Sequence, residues 1–481
     1  MTIGRRKWLK STSLISISFL LSKFSNAFQH SLRFVSNKLK IQSSDFNTFI
    51  WGTACAAFQV EGSPNIDGKG PSIWDTFTKK KKHIKDKSNA NEACDFYRRY
   101  EEDIRTNKTL GFKHFRFSIA WTRIFPDGVG EINTKGVEFY HKVIDCCKQQ
   151  GITPWVTLYH WDLPQKLEDQ GGWTNRKSIE WFESYVTFCA QEFGPKVKNW
   201  IVMNEPAAFV GLGYLSGYHA PGKKNPFAFL KATHHVCMSM SAGGRILKSL
   251  LPDSNVGTSF SCSAIHPKSN RKKDLEAVKR LDVLLNRLYI EPILGMGYPT
   301  EDLPGLKYME RYIEEGDLEK LRFDFDFVGL QNYFRVVGRF DPWVPFLKSR
   351  PVPAEKRNVS YNEMGFEIYP EGMYEILKQF NRYELKNIII TENGTCVEDE
   401  LIDGIVRDVK RIEYFESYLE QVLKAKQEGV PIRGYFVWSL TDNFEWSEGY
   451  TARFGLVHVD FKTQQRTIKD SGYWFNEFLE N

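Results

Sequence analysis

The sequence predicts a single closed α/β barrel of eight parallel strands, a (β/α)8 or TIM barrel with long loops between strand and helix. Three observations predict it. Eight short runs rich in β-branched and aromatic residues alternate with segments of helical period. No linker interrupts the chain after Asp45, so one large barrel fits better than the three domains that 481 residues would suggest by length alone. Polar and aromatic groups follow five of the strands directly, on what would be one rim of the barrel.

In chain order, the strands are read at 49–54, 114–118, 154–159, 200–203, 255–261, 326–331, 387–391 and 433–438. Between the second and third lies a helix over 135–150. Its Val137, Tyr140, Val143, Ile144 and Cys147 share a face, and Gly151 stops it. A second helix follows over 178–193, with Ile179, Phe182, Val186, Cys189 and Phe193 on one face and Gly194-Pro195 at its end. The stretches 205–227 and 335–370 are too long for plain connections and are expected to build the site. Strand three runs into His160-Trp161-Asp162, strand four into Asn204-Glu205-Pro206 and strand six into Asn332-Tyr333. Strand seven runs into Glu392-Asn393-Gly394, and strand eight ends in Trp438 and continues to Glu445-Trp446.

The formal charge is +6, from 65 Lys and Arg against 59 Asp and Glu, too mild to suggest nucleic acid as a partner. It is also unevenly spread. Arg5, Arg6, Lys7, Lys10, Lys23, Arg33, Lys38 and Lys40 precede Asp45, and no acid does. The basic start, the uncharged run 11–22 and Ser25-Asn26-Ala27 describe an export signal over 1–27, and Arg5-Arg6 resembles a twin-arginine leader. Residues 28–44 read as a basic disordered linker and 45–481 as the catalytic barrel. The protein is expected to be periplasmic or secreted if the signal is used and cytoplasmic otherwise. No later segment is long and apolar enough to span a membrane. The eight cysteines form no C-x-x-C pair, and no Cys/His spacing suits a metal. His234-His235 lies in a helical segment without carboxylate neighbours in sequence, so no metal and no other cofactor is expected. The lysine run 79–82 reads as a solvated loop, with capture of an acidic surface as the functional alternative.

Glu205 and Glu392 follow strands on opposite sides of the predicted barrel. Paired carboxyls across a sugar are what glycosidic cleavage requires, one protonated to serve the leaving oxygen and one ionised to attack or to activate water. The chain resembles glycoside hydrolase family 1, the β-glucosidase and β-galactosidase family, over about residues 45–480. The resemblance rests on Phe58-Gln59-Val60-Glu61-Gly62, the stretch 115–121, Leu158-Tyr159-His160-Trp161-Asp162, Asn204-Glu205-Pro206, Thr391-Glu392-Asn393-Gly394, the stretch 438–446 and Arg453-Phe454-Gly455-Leu456.

It implies a retaining double displacement with Glu205 as acid/base and Glu392 as nucleophile. Arg116 would hold Glu392 ionised and Asn204 would hold the sugar 2-hydroxyl. Gln59, His160, Trp161, Glu445 and Trp446 would hydrogen-bond the ring hydroxyls, Trp438 would be the platform beneath the ring, and Asn332, Phe454 and, toward the aglycone, Phe366 would also bind substrate. An anionic Glu445 would repel a phosphate, so the expected substrate is an unphosphorylated β-D-glucoside, with galactosides and fucosides as further candidates. The alternatives are a transglycosylase on the same scaffold and a glycan-binding protein of little or no activity. The chain departs from the family pattern at two places. Family members usually read N-Y-Y after strand six, the second Tyr donating to the nucleophile; here Phe334 stands third. The expectation is a slower glycosylation step or another group in that contact. Phe366 also stands where the family usually has Trp.

Overall fold

The computed structural model describes residues 41–480. The export signal and most of the linker expected above lie outside the described residues. Ile41 is already buried in the core and Ser43–Phe46 form a 3-10 turn, so ordered packing begins ahead of Asp45.

The eight barrel strands are β1 (Ile50–Ala54), β2 (His114–Ser118), β3 (Thr153–Tyr159), β4 (Asn199–Asn204), β5 (Asn255–Ser261), β6 (Phe327–Gln331), β7 (Ile388–Asn393) and β8 (Ile432–Trp438). Each pairs in parallel with its neighbours, and β1 closes the ring by pairing with both β2 and β8. The helices between them include Thr134–Gln149 and Ser178–Phe193, within a residue of the expected spans. The eight cysteines are all buried and unbridged.

Inward positions recur every second residue along a strand. Low in the barrel they carry a plug of Trp155, Phe327 and Phe436, whose rings meet edge-on with centroids 5.5 and 5.2 Å from the Trp155 ring. Glycine makes room for it: a Cβ on Gly257 would come within 2.4 Å of Phe327, and one on Gly52 within 2.5 Å of Phe436. Above the plug the barrel interior turns polar, with Arg116 on β2, Thr157 on β3, Gln331 at the end of β6 and Glu392 on β7. The dry plug thus forms the floor of a polar chamber at the strand C-termini.

The register slips between Ile201 and Asn204 on β4 and between Ile390 and Glu392 on β7. Such irregularities re-aim side chains beside active sites, and here they lie where the two glutamates emerge.

Behind the loop after β8, a buried ion network ties the C-terminal segment to the barrel. Lys469 pairs with Asp399 and, at 2.7 Å, with Asp442; Arg411 pairs with Asp408 and, at 2.9 Å, with Asp399; Arg453 reaches Asp442 at 2.6 Å. Replacing Lys469 with Met would leave two buried carboxylates sharing too few cations. The expected loss is about 3–5 kcal/mol, read as a lowered guanidinium unfolding midpoint. A midpoint equal to the wild type's would refute a structural role for the network.

Candidate active site

Arg116 is fully buried and organises the chamber. Its Nε donates to Thr157 Oγ1 at 3.0 Å, and its Nη1 donates to Glu392 Oε1 at 2.5 Å and to the Thr391 carbonyl at 2.9 Å. Its Nη2 donates to Asn204 Oδ1 at 2.6 Å. One guanidinium therefore joins β2, β3, β4 and β7. Glu392 Oε2 accepts from the Tyr333 hydroxyl at 2.8 Å. Gln331 Nε2 donates to Asn204 Oδ1 at 2.7 Å, and Asn204 Nδ2 lies 3.1 Å from His160 Nε2.

Glu205 and Glu392 are both buried but differently supported. Burial raises Glu205 well above the ordinary glutamate range; the charge of Glu392 raises it further, Arg116 opposes and Glu445 adds to the rise. Burial raises Glu392 as well, against the charge and hydrogen bond of Arg116 and hydrogen bonds from Tyr333 and Gln331. The Arg116 and Tyr333 bonds stabilise the Glu392 anion, so the site places the proton on Glu205 and the charge on Glu392.

The rest of the chamber is aromatic. Trp438 lies nearly parallel to the His160 ring (27° between planes, centroids 5.9 Å apart). Trp446 packs between Trp161 at 4.5 Å and Phe58 at 6.0 Å. Gln59 Nε2 donates to Asn443 Oδ1 at 3.0 Å and to Glu445 Oε2 at 3.1 Å, while its buried Oε1 has no protein partner. Trp161, Glu205 and Trp446 have φ of 76°, 47° and 49°, in the left-handed region that side chains avoid. Such residues cost about 1–3 kcal/mol each and persist where the surroundings hold them, typically at functional sites.

The sequence profile described as "Glycosyl hydrolase family 1" matches residues 42–481. The chain belongs to glycosyl hydrolase family 1. Beta-glucosidase A of Thermotoga maritima is 41% identical over 439 residues, spanning 90% of this chain and 97% of its own. A Thermotoga maritima β-glucosidase solved in complex with deoxynojirimycin matches with a TM-score of 0.87 at 41% identity, covering 90% of this chain and 98% of that one. A 6-phospho-beta-galactosidase of Clostridium acetobutylicum is 35% identical over 454 residues, 89% of this chain and 95% of its own. The chain is a retaining β-glycosidase of this family.

The structure brings Arg116, Asn204, Glu205, Glu392, Gln59, His160, Trp438, Glu445 and Trp446 together around one chamber. Several expectations need correction. Phe334 is not at the nucleophile: Tyr333 makes that contact, and Phe334 packs on Phe366 at 4.4 Å. The cause is strand alternation, which turns Gln331 and Tyr333 inward. For the same reason Asn332 belongs to the loop scaffold, its Nδ2 donating to the Cys262 carbonyl at 3.0 Å and its carbonyl accepting from Asn393 Nδ2 at 2.5 Å. The Trp161 indole N–H, assigned to a sugar hydroxyl, donates instead to the Asn204 carbonyl at 3.0 Å, so Trp161 acts as a wall. Phe454 is buried and supports Tyr333 edge-on at 6.0 Å. Glu445 is not the plain anion assumed: burial and the Glu392 charge push it up to about 8, against hydrogen bonds from Trp438 and Gln59. His234 does have a carboxylate neighbour, Asp317 at 2.9 Å, brought from a distant segment and also held by Arg176 at 2.6 Å.

Phe334→Tyr should leave kcat and the pH profile within about twofold. Tyr333→Phe removes a donor to a charged carboxylate, worth about 1.5–3 kcal/mol. It should lower the glycosylation rate about 10- to 100-fold and move the acid limb of the profile to higher pH. Steady-state kinetics on nitrophenyl β-glucoside across pH decides, and the opposite ranking of the two variants would contradict the placement of Tyr333.

Proposed function

We propose that the enzyme hydrolyses unphosphorylated β-D-glucosides, with Glu392 as nucleophile and Glu205 as acid/base. The observation that carries this reading is the unequal support of the two buried carboxyls around Arg116. In the first step the Glu392 carboxylate attacks the anomeric carbon, and the glycosidic oxygen leaves with the Glu205 proton. The product is a glycosyl ester on Glu392 and a neutral aglycone alcohol. In the second, water attacks the same carbon and gives its proton to the Glu205 carboxylate, and Glu392 departs as a carboxylate.

Asn204 Oδ1 already accepts from Arg116 and Gln331, so Asn204 presents an amide N–H to the sugar, where the 2-hydroxyl bond strengthens in the transition state. Trp438 offers its face to the ring, and Gln59, His160 and Glu445 offer hydrogen-bonding groups to its hydroxyls. Exclusion of a 6-phosphate rests on charge, although not as first expected. Gln59 and the Trp438 indole, the partners of Glu445, are not cations, and the guanidinium of Arg116 is already bonded to Thr157, Thr391, Glu392 and Asn204. A phosphate dianion there would meet a carboxyl and no ammonium group. The half-buried Phe334–Phe366 pair supports an apolar aglycone. The acid-free basic start of the chain supports export.

Replacing Glu392 with Ala should abolish release from nitrophenyl β-glucoside. Replacing Glu205 with Ala should cost about 10²–10⁴-fold on unactivated aglycones and far less on a dinitrophenyl glucoside, whose phenolate leaves without a proton. Because the Glu205 pKa is raised, wild-type activity should hold above the ordinary carboxylate range and fall as pH climbs through it, and this limb should vanish in Glu205→Ala on the dinitrophenyl substrate. Equal activity on glucoside and glucoside 6-phosphate would refute the unphosphorylated reading, and transfer to an added alcohol as the main product would favour the transglycosylase. Binding of glucosides without turnover would favour the glycan-binding alternative.

A further inference from the structure

The loop after β6 carries a feature that sugar hydrolysis does not use. The strands Val336–Phe340 and Ser349–Pro351 form an antiparallel hairpin. Its tip includes the uncharged run Pro342-Trp343-Val344-Pro345-Phe346-Leu347. Trp343 is 86% exposed, more than any other large apolar side chain among the described residues. Its exposure is not fraying. The Trp343 amide donates to Asp341 Oδ1 at 3.0 Å, the Lys348 amide closes the turn onto the Val344 carbonyl at 2.8 Å, and Arg350 holds Asp341 at 2.7 Å. Phe346 anchors the turn from below, facing the Phe229 ring at 6.2 Å. The indole is therefore held out in water by a rigid support.

Behind this tip lies a collar of cations. Arg339, Lys348 and Arg350 stand on the hairpin. The helix Lys272–Asp282 packs against it, bringing Lys272, Lys273, Lys279 and Arg280, with Arg271 just before. The two elements are locked together: the Phe340 amide donates to Asp274 Oδ1 at 2.9 Å, Arg280 Nε donates to the Leu347 carbonyl at 2.7 Å, and Lys273 lies over the Phe340 ring at 5.5 Å. The acids of this face are engaged. Asp274 and Asp341 are buried in the contacts above, and Glu276 pairs with Lys279 at 3.4 Å.

We infer that this hairpin is an interfacial docking element for an anionic lipid surface, with Trp343 entering the headgroup layer and the collar pairing with phosphate headgroups. A tryptophan with an apolar body and one N–H suits that boundary, and basic residues close behind it supply the attraction to anionic lipid. An acidic glycan is the other polyanion with this charge chemistry. It would need hydrogen-bonding partners beside the ring, and Pro342, Val344 and Pro345 offer no polar side chain.

The test uses the full chain, wild type, Trp343→Ser, and the triple Arg271→Glu/Lys272→Glu/Lys273→Glu, with phosphatidylcholine vesicles containing or lacking phosphatidylglycerol. Both variants should need at least tenfold more anionic lipid for half-maximal cosedimentation, while turnover of nitrophenyl β-glucoside stays at the wild-type value and certifies the fold. Residues 1–40 are common to all three proteins, so a local reading is added. Trp343→Cys labelled with an environment-sensitive fluorophore, the eight native cysteines being buried, should shift to the blue on anionic vesicles and return in high salt. The inference is overturned if either variant binds like wild type or if the label keeps its aqueous emission on bound protein. It is also overturned if the triple loses retention on dextran sulfate while its vesicle binding is unaltered. Loss of turnover in the wild type would bear on the hydrolase reading alone.

Discussion

A guanidinium buried in the middle of a barrel has to be fully occupied, and the upper half of this molecule follows from that. Removing Arg116 from water is expensive, and only good geometry with several acceptors recovers the cost. Thr157, Thr391, Glu392 and Asn204 supply those acceptors from three different strands. The requirement sets which residues can occupy the inward layer above the plug of Trp155, Phe327 and Phe436. It also fixes the rotamers of Asn204 and Glu392, because each is tied to a group that cannot move. Precision at the reacting carboxylate is thus a by-product of satisfying one charge.

The strain at the rim depends on the same rigidity. Trp161, Glu205 and Trp446 hold positive φ on three separate loops. Each is clamped on a neighbour: Trp161 by its hydrogen bond to the Asn204 carbonyl, Trp446 by packing between Phe58 and Trp161, and Glu205 by its backbone N–H, which donates to the Ser259 carbonyl at 2.9 Å. These contacts select the unusual backbone because the ordinary one would break them. Here one aromatic side chain serves packing and the chamber together, since Trp446 both braces Trp161 and lies beside His160.

Most of the architecture could be read from the sequence, because alternating strand and helix patterns carry the barrel and the residues after the strands carry the site. The errors have a common physical origin. At the end of β6 the motif was read one position out of register, and a one-residue slip exchanges the two faces of a strand. Gln331 and Tyr333 went unrecognised for that reason, although counting by twos from Phe327, the plug residue, would have placed both inside. His234 and Asp317 meet across 83 residues of chain, a contact that no local pattern announces. The raised pKa of Glu445 was equally hidden, because it depends on burial and on Glu392, neither of which is a property of its own neighbourhood in sequence.

That last case leads to the charge balance of the chamber. Glu205 and Glu392 are buried and feel the charge of Arg116, and Glu445, removed from water beside them, feels the charge of Glu392. One cation supports one anion in a medium this poorly solvated, so two of the three carboxyls are pushed toward the neutral form. Glu392 holds the charge in the resting enzyme because it alone touches the guanidinium. When Glu392 becomes an ester its charge disappears at the moment Glu205 gives up its proton, and the chamber again holds one anion against one cation. Hydrolysis of the ester reverses both changes together. The two half-reactions therefore proceed with no net change in buried charge, and neither requires a counter-ion to enter. A phosphate dianion on the sugar would break that balance before any chemistry began, which ties the preference for an uncharged sugar to the same guanidinium that fixes the nucleophile.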